Sequence, residues 1–509
     1  ILHAIYFFCC DCFIWISYIQ SYKLKLKNMK LVGIIFSSIS LILSSYGLDK
    51  SPNFLFIFAD DMAYETINAY GLTDIDTPNL DRLVKSGTSF SRAYNMGAWN
   101  GAVCIASRTM LMTGKTVWNA YKMDSKKSMA AEAQAGSLWP QYLQRKGYNT
   151  YMSGKWHIKN DPVNVFEKAI DVKPGMPNDV LEGYNRPLDK EDYAAGWKPW
   201  DINYGGFWEG GIHWSEVLAN NGIDFLTDAS TNNSPFFMYL AFNAPHDPRQ
   251  SPQSFVDRYP LDRIEVPVNF VPKYKYEEEM GCGPAVRDER LAPFPRNEYA
   301  VKVNRQEYYA LITHMDEQIG RILEALDKTG LTDSTYVIFT ADHGLSVGHH
   351  GLIGKQNLYE HSTQVPFIIT GPDIKSDHII NTPIYLQDIM PTTLELAEVD
   401  IPLSVEFKSL VPLIRESNIN HYDYIYGGFR SLQRSITDGE WKLIHYINGN
   451  IYRLYNISND PNEMIDLALD KNYRKNINDL KFKLVDLSKR LNDPVDYDNP
   501  TDSGKNKNL

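Results

Sequence analysis

The chain has 509 residues, 43% of them hydrophobic and 22% charged, which is ordinary for a globular protein large enough to hold a main domain and a smaller partner. Its formal net charge of -11 weighs against a nucleic-acid partner, because backbone phosphates need a basic surface. An anionic ligand must then be held by a local positive pocket rather than by the field of the whole protein.

In chain order, residues 1–28 come first. They open with an apolar run, Ile1 to Ile19, holding Cys9, Cys10 and Cys12, and continue with Lys23, Lys25 and Lys27. We read this stretch as upstream sequence translated in error, with Met29 as the start. Residues 29–48 then read as a signal peptide: Lys30, the apolar run Leu31 to Leu43, and small residues at Ser44-Ser45. This predicts a secreted or periplasmic protein with no stable membrane anchor. The alternative is a membrane-spanning segment, which the shortness of the second run disfavours. Beyond the leader only Cys104 and Cys282 remain, too few for a disulfide framework. Cys282 reads as a bystander in a glycine loop.

Strand-like runs follow at Phe54–Phe58, Asn149–Met152, Phe236–Phe242, Tyr336–Thr340 and Val365–Ile369. Helical patterns lie between them at Asn79–Ser86, Ser107–Met112 and Arg305–Asp327. Such alternation predicts an α/β fold: a large, mostly parallel sheet flanked by helices over residues 49–400. Residues Pro248 to Pro295 are rich in Pro, Arg, Asp and Tyr and read as a long ordered loop over the sheet edge. From about Tyr422 the pattern becomes short β runs, Tyr424–Tyr426, Leu432–Thr437, Trp441–Tyr446 and Tyr452–Tyr455, with turn signals at Asp438-Gly439 and Asn448-Gly449. With a terminal helix over Arg474–Leu491, this predicts a smaller antiparallel α+β subdomain over residues 401–495. Residues 496–509 are polar and read as a disordered tail.

The chemistry-bearing residues sit after strand-like runs or in Gly/Pro turns, where a parallel sheet presents side chains to a ligand. They are Asp60-Asp61, Cys104, Arg108, Lys155, His157, His246, Asp342-His343 and Lys355. Asp60, Asp61, Asp342 and His343 follow two separate strands, and three carboxylates suit Ca²⁺ or Mg²⁺. The plain alternative for an Asp-Asp pair after a strand is a turn or helix cap. Arg108, Lys155 and Lys355 supply positive charge for an anion, and a bare Cys104 thiol is a poor partner for a hard cation.

This set resembles the type I sulfatases of the alkaline phosphatase superfamily, from about Pro52 to about Leu467. Gly147-Tyr148-Asn149-Thr150-Tyr151-Met152-Ser153-Gly154-Lys155-Trp156-His157 fits that family's second signature throughout. The first signature fits at Cys104, Ser107, Arg108 and Thr113-Gly114 and departs at Ala106, where proline is usual. His343 and the short step to Lys355 resemble the iduronate-2-sulfatase and bacterial polysaccharide sulfatase branch. The resemblance implies an alkaline phosphatase-like fold, a Ca²⁺ ion on Asp60, Asp61, Asp342, His343 and residue 104, and conversion of Cys104 to formylglycine (3-oxoalanine) by a sulfatase-maturing enzyme. It implies that Arg108 braces the aldehyde, that Lys155 and Lys355 hold the sulfuryl oxygens, that His157 is the base and that His246 is the leaving-group acid.

The implied activity is hydrolysis of sulfate esters of a carbohydrate, with an algal polysaccharide of the ulvan or carrageenan type as the expected source. Trp99, Trp208, Trp214, Glu360 and His361 are the candidate sugar contacts, with burial in the core as the competing reading for the tryptophans. Two other functions fit the same residues. One is a phosphonate or phosphodiester hydrolase of the same superfamily. The other is a glycan-binding protein in which Cys104 is never converted.

Overall fold

The computed structural model of the protein describes residues 51–497, with 179, 185, 417 and 418 left out. The expected leader, and the expected tail apart from residues 496–497, lie outside the described residues. Among the described residues no helix is long and apolar enough to cross a membrane.

The main sheet has eight strands: β1 (Asn53–Ala59), β2 (Thr88–Phe90), β3 (Asn149–Lys155), β4 (Lys168–Lys173), β5 (Phe236–Ala241), β6 (Thr335–Ala341), β7 (Phe367–Thr370) and β8 (His378–Ile380). Their spatial order is β8-β2-β7-β6-β1-β5-β3-β4. All run parallel except β7, which is antiparallel to both neighbours. Every residue of β1, β5 and β6 is buried, which is why these runs read as unbroken apolar stretches rather than alternating ones. The expected run Val365–Ile369 is split. Pro366 cannot donate to a ladder, so Gln364–Val365 pairs in a separate small sheet and β7 starts at Phe367.

Helices cover both faces. They include α1 (Pro78–Ser86), α2 (Val103–Thr113), α3 (Trp214–Ser230) and the long α4 (Glu298–Thr329). α2 begins earlier than its apolar pattern suggests, so Cys104 lies in the first helical turn. All eleven residues of α2 are buried, and Gly114 ends it in a left-handed conformation.

The C-terminal part is an antiparallel meander of β9 (Ile425–Phe429), β10 (Gln433–Thr437), β11 (Trp441–Tyr446) and β12 (Ile451–Asn456), packed with α5 (Arg474–Arg490). Its fifth strand is Gly97–Ala98, from the segment just before α2, paired parallel to β9. The described residues from 52 onward accordingly belong to one compact unit. The segment 248–295 carries short helical turns at Gln253–Val256, Glu277–Met280 and Asp288–Leu291. It does not simply skirt the sheet edge as its composition suggested: Arg287 ion-pairs with Asp247, just past the end of the central strand β5.

Candidate active site

β1 and β6 are neighbours in register, Ala59 opposite Ala341. The residues that leave the two strands, Asp60 and Asp342, therefore emerge side by side, and Asp342 N–H donates to Ala59 O at 3.2 Å. β5 and β3 continue the row, placing Lys155 and the His246 loop at the same end. Asp61 turns back with φ 69°, a left-handed conformation costly for a non-glycine residue. Its backbone is held by Asp342 Oδ1, which accepts from Asp61 N–H at 3.1 Å, and by Tyr308 Oη, which donates to Asp61 O at 2.7 Å.

Cys104 reaches this row from the first turn of α2. Its Sγ lies 3.3 Å from His343 Nε2, 3.4 Å from Lys355 Nζ and 3.8 Å from Asp61 Oδ1. Lys355 Nζ donates to both oxygens of Asp61, at 2.8 and 2.7 Å. Arg108 Nε donates to Asp342 Oδ2 at 3.1 Å, its Nη1 donates to Lys155 O at 3.0 Å, and its Nη2 stands 3.5 Å from Asp60 Oδ1. Lys155 Nζ pairs with Asp60. All of these side chains are buried.

Such a cluster is electrostatically tense. Burial works to raise the Asp61 carboxyl, but His246, Lys355 and His343 together hold it well below the usual range. Asp342 is likewise held down by His343, Arg108 and Lys155 against burial. Burial, followed by Asp60, pushes the Cys104 thiol up, so it is protonated rather than a ready thiolate. Burial alone would keep His343 neutral, yet Asp342 and Asp61 drive it well above its ordinary value.

The donor set fits a hard cation. His343 Nδ1 lies 2.8 Å from Gly344 O and donates to it, leaving Nε2 facing Asp61 Oδ1 at 3.0 Å and Asp342 Oδ1 at 3.6 Å. Without a metal a proton on Nε2 serves both carboxylates, and a cation bound between them would take that proton's place. Asp60 Oδ1 is buried without a hydrogen bond. Ligand atoms of Asp60, Cys104, Asp342 and His343, and of Asp60, Asp61, Cys104 and His246, form two overlapping groups, each lying within 4.8 Å.

Two further histidines face the cluster. His246 Nδ1 donates to Asp247 O at 2.7 Å and lies 3.1 Å from Asp247 Oδ1, which turns Nε2 toward Asp61 Oδ2 at 3.7 Å. Burial lowers His246 to about 3, against the pull of Asp61. His157 sits just past β3 with φ 52° and is lowered to about 2, by burial first and then by Lys155 and Arg108. Its Nδ1 is buried without a hydrogen bond. Gly175 lies over the ring: a Cβ at that position would come within 2.5 Å of Cε1 and Nε2.

The expected sugar contacts fare differently. Trp99 is 2% exposed in the core and its indole donates to Asp124 Oδ2 at 2.9 Å, so it offers no face to a sugar. Glu360 is partly committed to the fold, though with His361 it still lines a cavity. Its oxygens accept from Tyr94 Oη and Lys442 Nζ, both at 2.8 Å, which ties the small sheet that holds Tyr94 to the C-terminal one. His361 is occupied with His350, Nε2 to Nδ1 at 3.2 Å, and with Ser362. Both His349 and His350 are buried. Trp208 and Trp214 are half-buried around the hairpin 208–213, and Trp214 lies under Lys173 Nζ at 5.2 Å. Among the described residues no hydrogen bond or ring contact joins either tryptophan to the cluster. Three residues not singled out from the sequence belong to the surroundings of the site: Tyr308, Gly175 and Arg287. No local signal marked them, since each acts through a neighbour that only the fold supplies.

A parallel sheet ending in paired carboxylates, cations and a nucleophile position defines a hydrolase of the alkaline phosphatase-like fold. Residues 52–399 match the sulfatase family, and the chain belongs to it. It is a sulfuric ester hydrolase of that fold. Residues 348–490 match the N-sulphoglucosamine sulphohydrolase C-terminal family. The chain is 28% identical to an arylsulfatase of Clostridium perfringens, over 85% of this chain and 94% of the relative. It is 25% identical to an N-acetylglucosamine-6-O-sulfatase of Bacteroides thetaiotaomicron, with 87% of each covered. A sulfatase structure solved with its substrate, D-glucosamine-2-N,6-O-disulfate, superposes with a TM-score of 0.66 at 22% identity, over 87% of this chain and 99% of the other.

Proposed function

We propose that the protein hydrolyses sulfate esters of a carbohydrate, using Ca²⁺ held by Asp60, Asp61, Asp342 and His343 and a formylglycine formed from Cys104, and that it works outside the cytoplasm. One observation carries the reading: Cys104 Sγ stands 3.3 Å from His343 Nε2 and 3.4 Å from Lys355 Nζ, at the meeting point of three buried carboxylates. A protonated thiol is poorly matched to that setting, whereas an oxygen at the same position suits it. When bound, Ca²⁺ supplies positive charge that polarises oxygens at the site, and the aldehyde hydrate supplies an oxygen nucleophile.

The placement of the other side chains supports the remaining roles. Lys155 and Lys355 offer ammonium groups to the sulfuryl oxygens, and Arg108 braces Asp60, Asp342 and the Lys155 backbone. His157 is kept neutral, the form that accepts a proton. His246 presents Nε2 toward the site, and an anionic ester beside it opposes the lowering by burial, so that Nε2 can carry a proton to the leaving oxygen. A carbohydrate substrate is supported by the named activity of the Bacteroides relative. An algal polysaccharide of the ulvan or carrageenan type stays within this proposal as one source of such esters. Export is supported by the apolar run Leu31 to Leu43, which lies outside the described residues.

The test is purified protein, co-expressed with a sulfatase-maturing enzyme, assayed on 4-nitrophenyl sulfate, 4-nitrophenyl phosphate and a panel of sulfated sugars. Release of sulfate from sugars, with an aldehyde at residue 104 by peptide mass spectrometry, is the expected result. Preference for the phosphate ester would move the chain to phosphoester chemistry. Sugar binding without turnover, with Cys104 intact, would make it a glycan-binding protein.

A further inference from the structure

We infer that Arg287 is a specificity-determining residue that binds a second anionic group of the substrate, and this rests on the sulfatase reading of the same site. Arg287 Nε and Nη2 donate to Asp288 Oδ1 at 2.8 and 2.5 Å, and Nη2 donates to Asp247 Oδ1 at 3.1 Å. Both carboxylates are buried, and both belong to the walls of the site. Asp247 follows His246 in the chain. Asp288 Oδ2 accepts from Gln356 Nε2 at 2.8 Å, next to Lys355, and the same Nε2 donates to Gly101 O at 3.1 Å, on the approach to Cys104. The guanidinium is thus strung between the proton-carrying histidine and the lysine beside the nucleophile.

Its exposure separates it from a structural arginine. The side chains of Arg108, Arg296 and Arg434 are 0% exposed in their ion pairs, whereas that of Arg287 is 39% exposed. Nη1 makes no hydrogen bond among the described residues. Two buried carboxylates therefore hold Nε and Nη2 of a rigid fork that is itself partly exposed, with Asp247, the residue after His246, as one of its anchors. A donor already held in place loses little freedom when an oxyanion docks on it. Two carboxylates against one guanidinium leave this rim without excess positive charge. The attraction is consequently directional, by charge-assisted hydrogen bonds, rather than a general field. The group that fits is a carboxylate or a second sulfate on the sugar that carries the scissile ester, or on the next sugar. A hydroxyl fits less well, because a neutral acceptor gains less from a guanidinium.

Competition against 4-nitrophenyl sulfate turnover tests this without knowledge of the natural substrate. The probes are glucosamine 6-sulfate, glucosamine 2-N,6-O-disulfate, a 2-sulfated hexuronate and its methyl ester. A charge-assisted hydrogen bond is worth about ten- to a hundredfold in affinity. The wild-type protein should prefer a doubly anionic probe to its singly anionic match by about that factor. Arg287→Gln should bring the ratio close to one, and Arg287→Lys should restore only part of it. A preference confined to the disulfate pair names a second sulfate as the ligand, and one confined to the hexuronate pair names a carboxylate. Equal inhibition by both members of each pair in the wild type, or an unchanged ratio in both variants, overturns the inference. A wild-type protein that fails to hydrolyse 4-nitrophenyl sulfate at all overturns the sulfatase reading instead.

Discussion

At position 104 a small buried thiol stands where the proposed mechanism calls for an oxygen. Cys104→Ala should abolish turnover while leaving the melting temperature within a few degrees of wild type, because the position is 1% exposed and the change removes one atom. Full activity in protein whose residue 104 is shown by mass spectrometry to be unmodified cysteine would remove the aldehyde from the mechanism. His246→Ala separates leaving groups. A sugar alkoxide needs a proton as its S–O bond breaks and a nitrophenolate hardly does, so the loss on a sugar sulfate should exceed that on 4-nitrophenyl sulfate by roughly tenfold or more. Equal losses would take His246 out of the acid role. Gly175→Ala tests positioning alone. The new methyl would meet the His157 ring at 2.5 Å, and the ring must turn to escape it. We expect kcat to fall about tenfold or more with little change in substrate affinity, and unchanged kcat would show that the ring has room to move.

At the scale of elements, the β1–β6 register places Asp60 beside Asp342, and one helix turn delivers Cys104 to them. The C-terminal meander buries a titratable imidazole. His445 of β11 lies face to face with Tyr452 of β12 at 4.0 Å, with its Nε2 on Asn450 Oδ1 at 2.9 Å and its Nδ1 buried without a partner. Protonating Nδ1 would bury an N–H with no acceptor. Burial accordingly lowers this group from 6.5 to about 4. The sign follows from linkage: above pH 6.5 the ring is neutral folded and unfolded, and below it the unfolded chain takes up the proton first. This residue should therefore cost stability as pH falls from about 6.5 to 4. Melting curves of wild type and His445→Gln across that interval check it, and the variant should lose less on acidification. Parallel slopes would show that the ring titrates normally.

For the whole molecule, the centre sets the carboxylates Asp60, Asp61 and Asp342 against Arg108, Lys155 and Lys355, all buried. An added divalent cation binds the folded arrangement alone and should stabilise it by about 2.7 kcal/mol at a hundredfold excess over its Kd. Chelation should lower the melting temperature and calcium should restore it in a concentration-dependent way. Asp342→Asn should blunt that response. A melting temperature indifferent to chelator and calcium in the wild type would reject the metal site. Gly97–Ala98, the fifth strand of the C-terminal sheet, lies five residues before the start of α2, so the C-terminal sheet is joined in the chain to the helix that carries residue 104.

Much of this was legible in the chain. Apolar runs of strand length, Asp-Asp and Asp-His pairs following them, and the Cys104 and Lys155-Trp156-His157 motifs are local patterns. Local patterns survive in sequence because each one depends on its own neighbours: a buried strand must be apolar throughout, and a ligand pair must follow where the strand ends. The rest depended on which segments meet. Trp99 and Glu360 looked available because nothing in their neighbourhood announces Asp124, Tyr94 or Lys442, far along the chain or in another sheet. Arg287 was one arginine of a Pro-, Arg-, Asp- and Tyr-rich stretch, and only the fold sets it against Asp247 and Asp288. By itself the sequence determined the sheet and the family and named candidate reacting residues, since these are written in contiguous runs. Only the tertiary structure decided which polar groups are spent on holding the molecule together and which are left free to touch a ligand. A hydrogen-bonding group has a fixed number of partners, and the fold alone says how many are already taken.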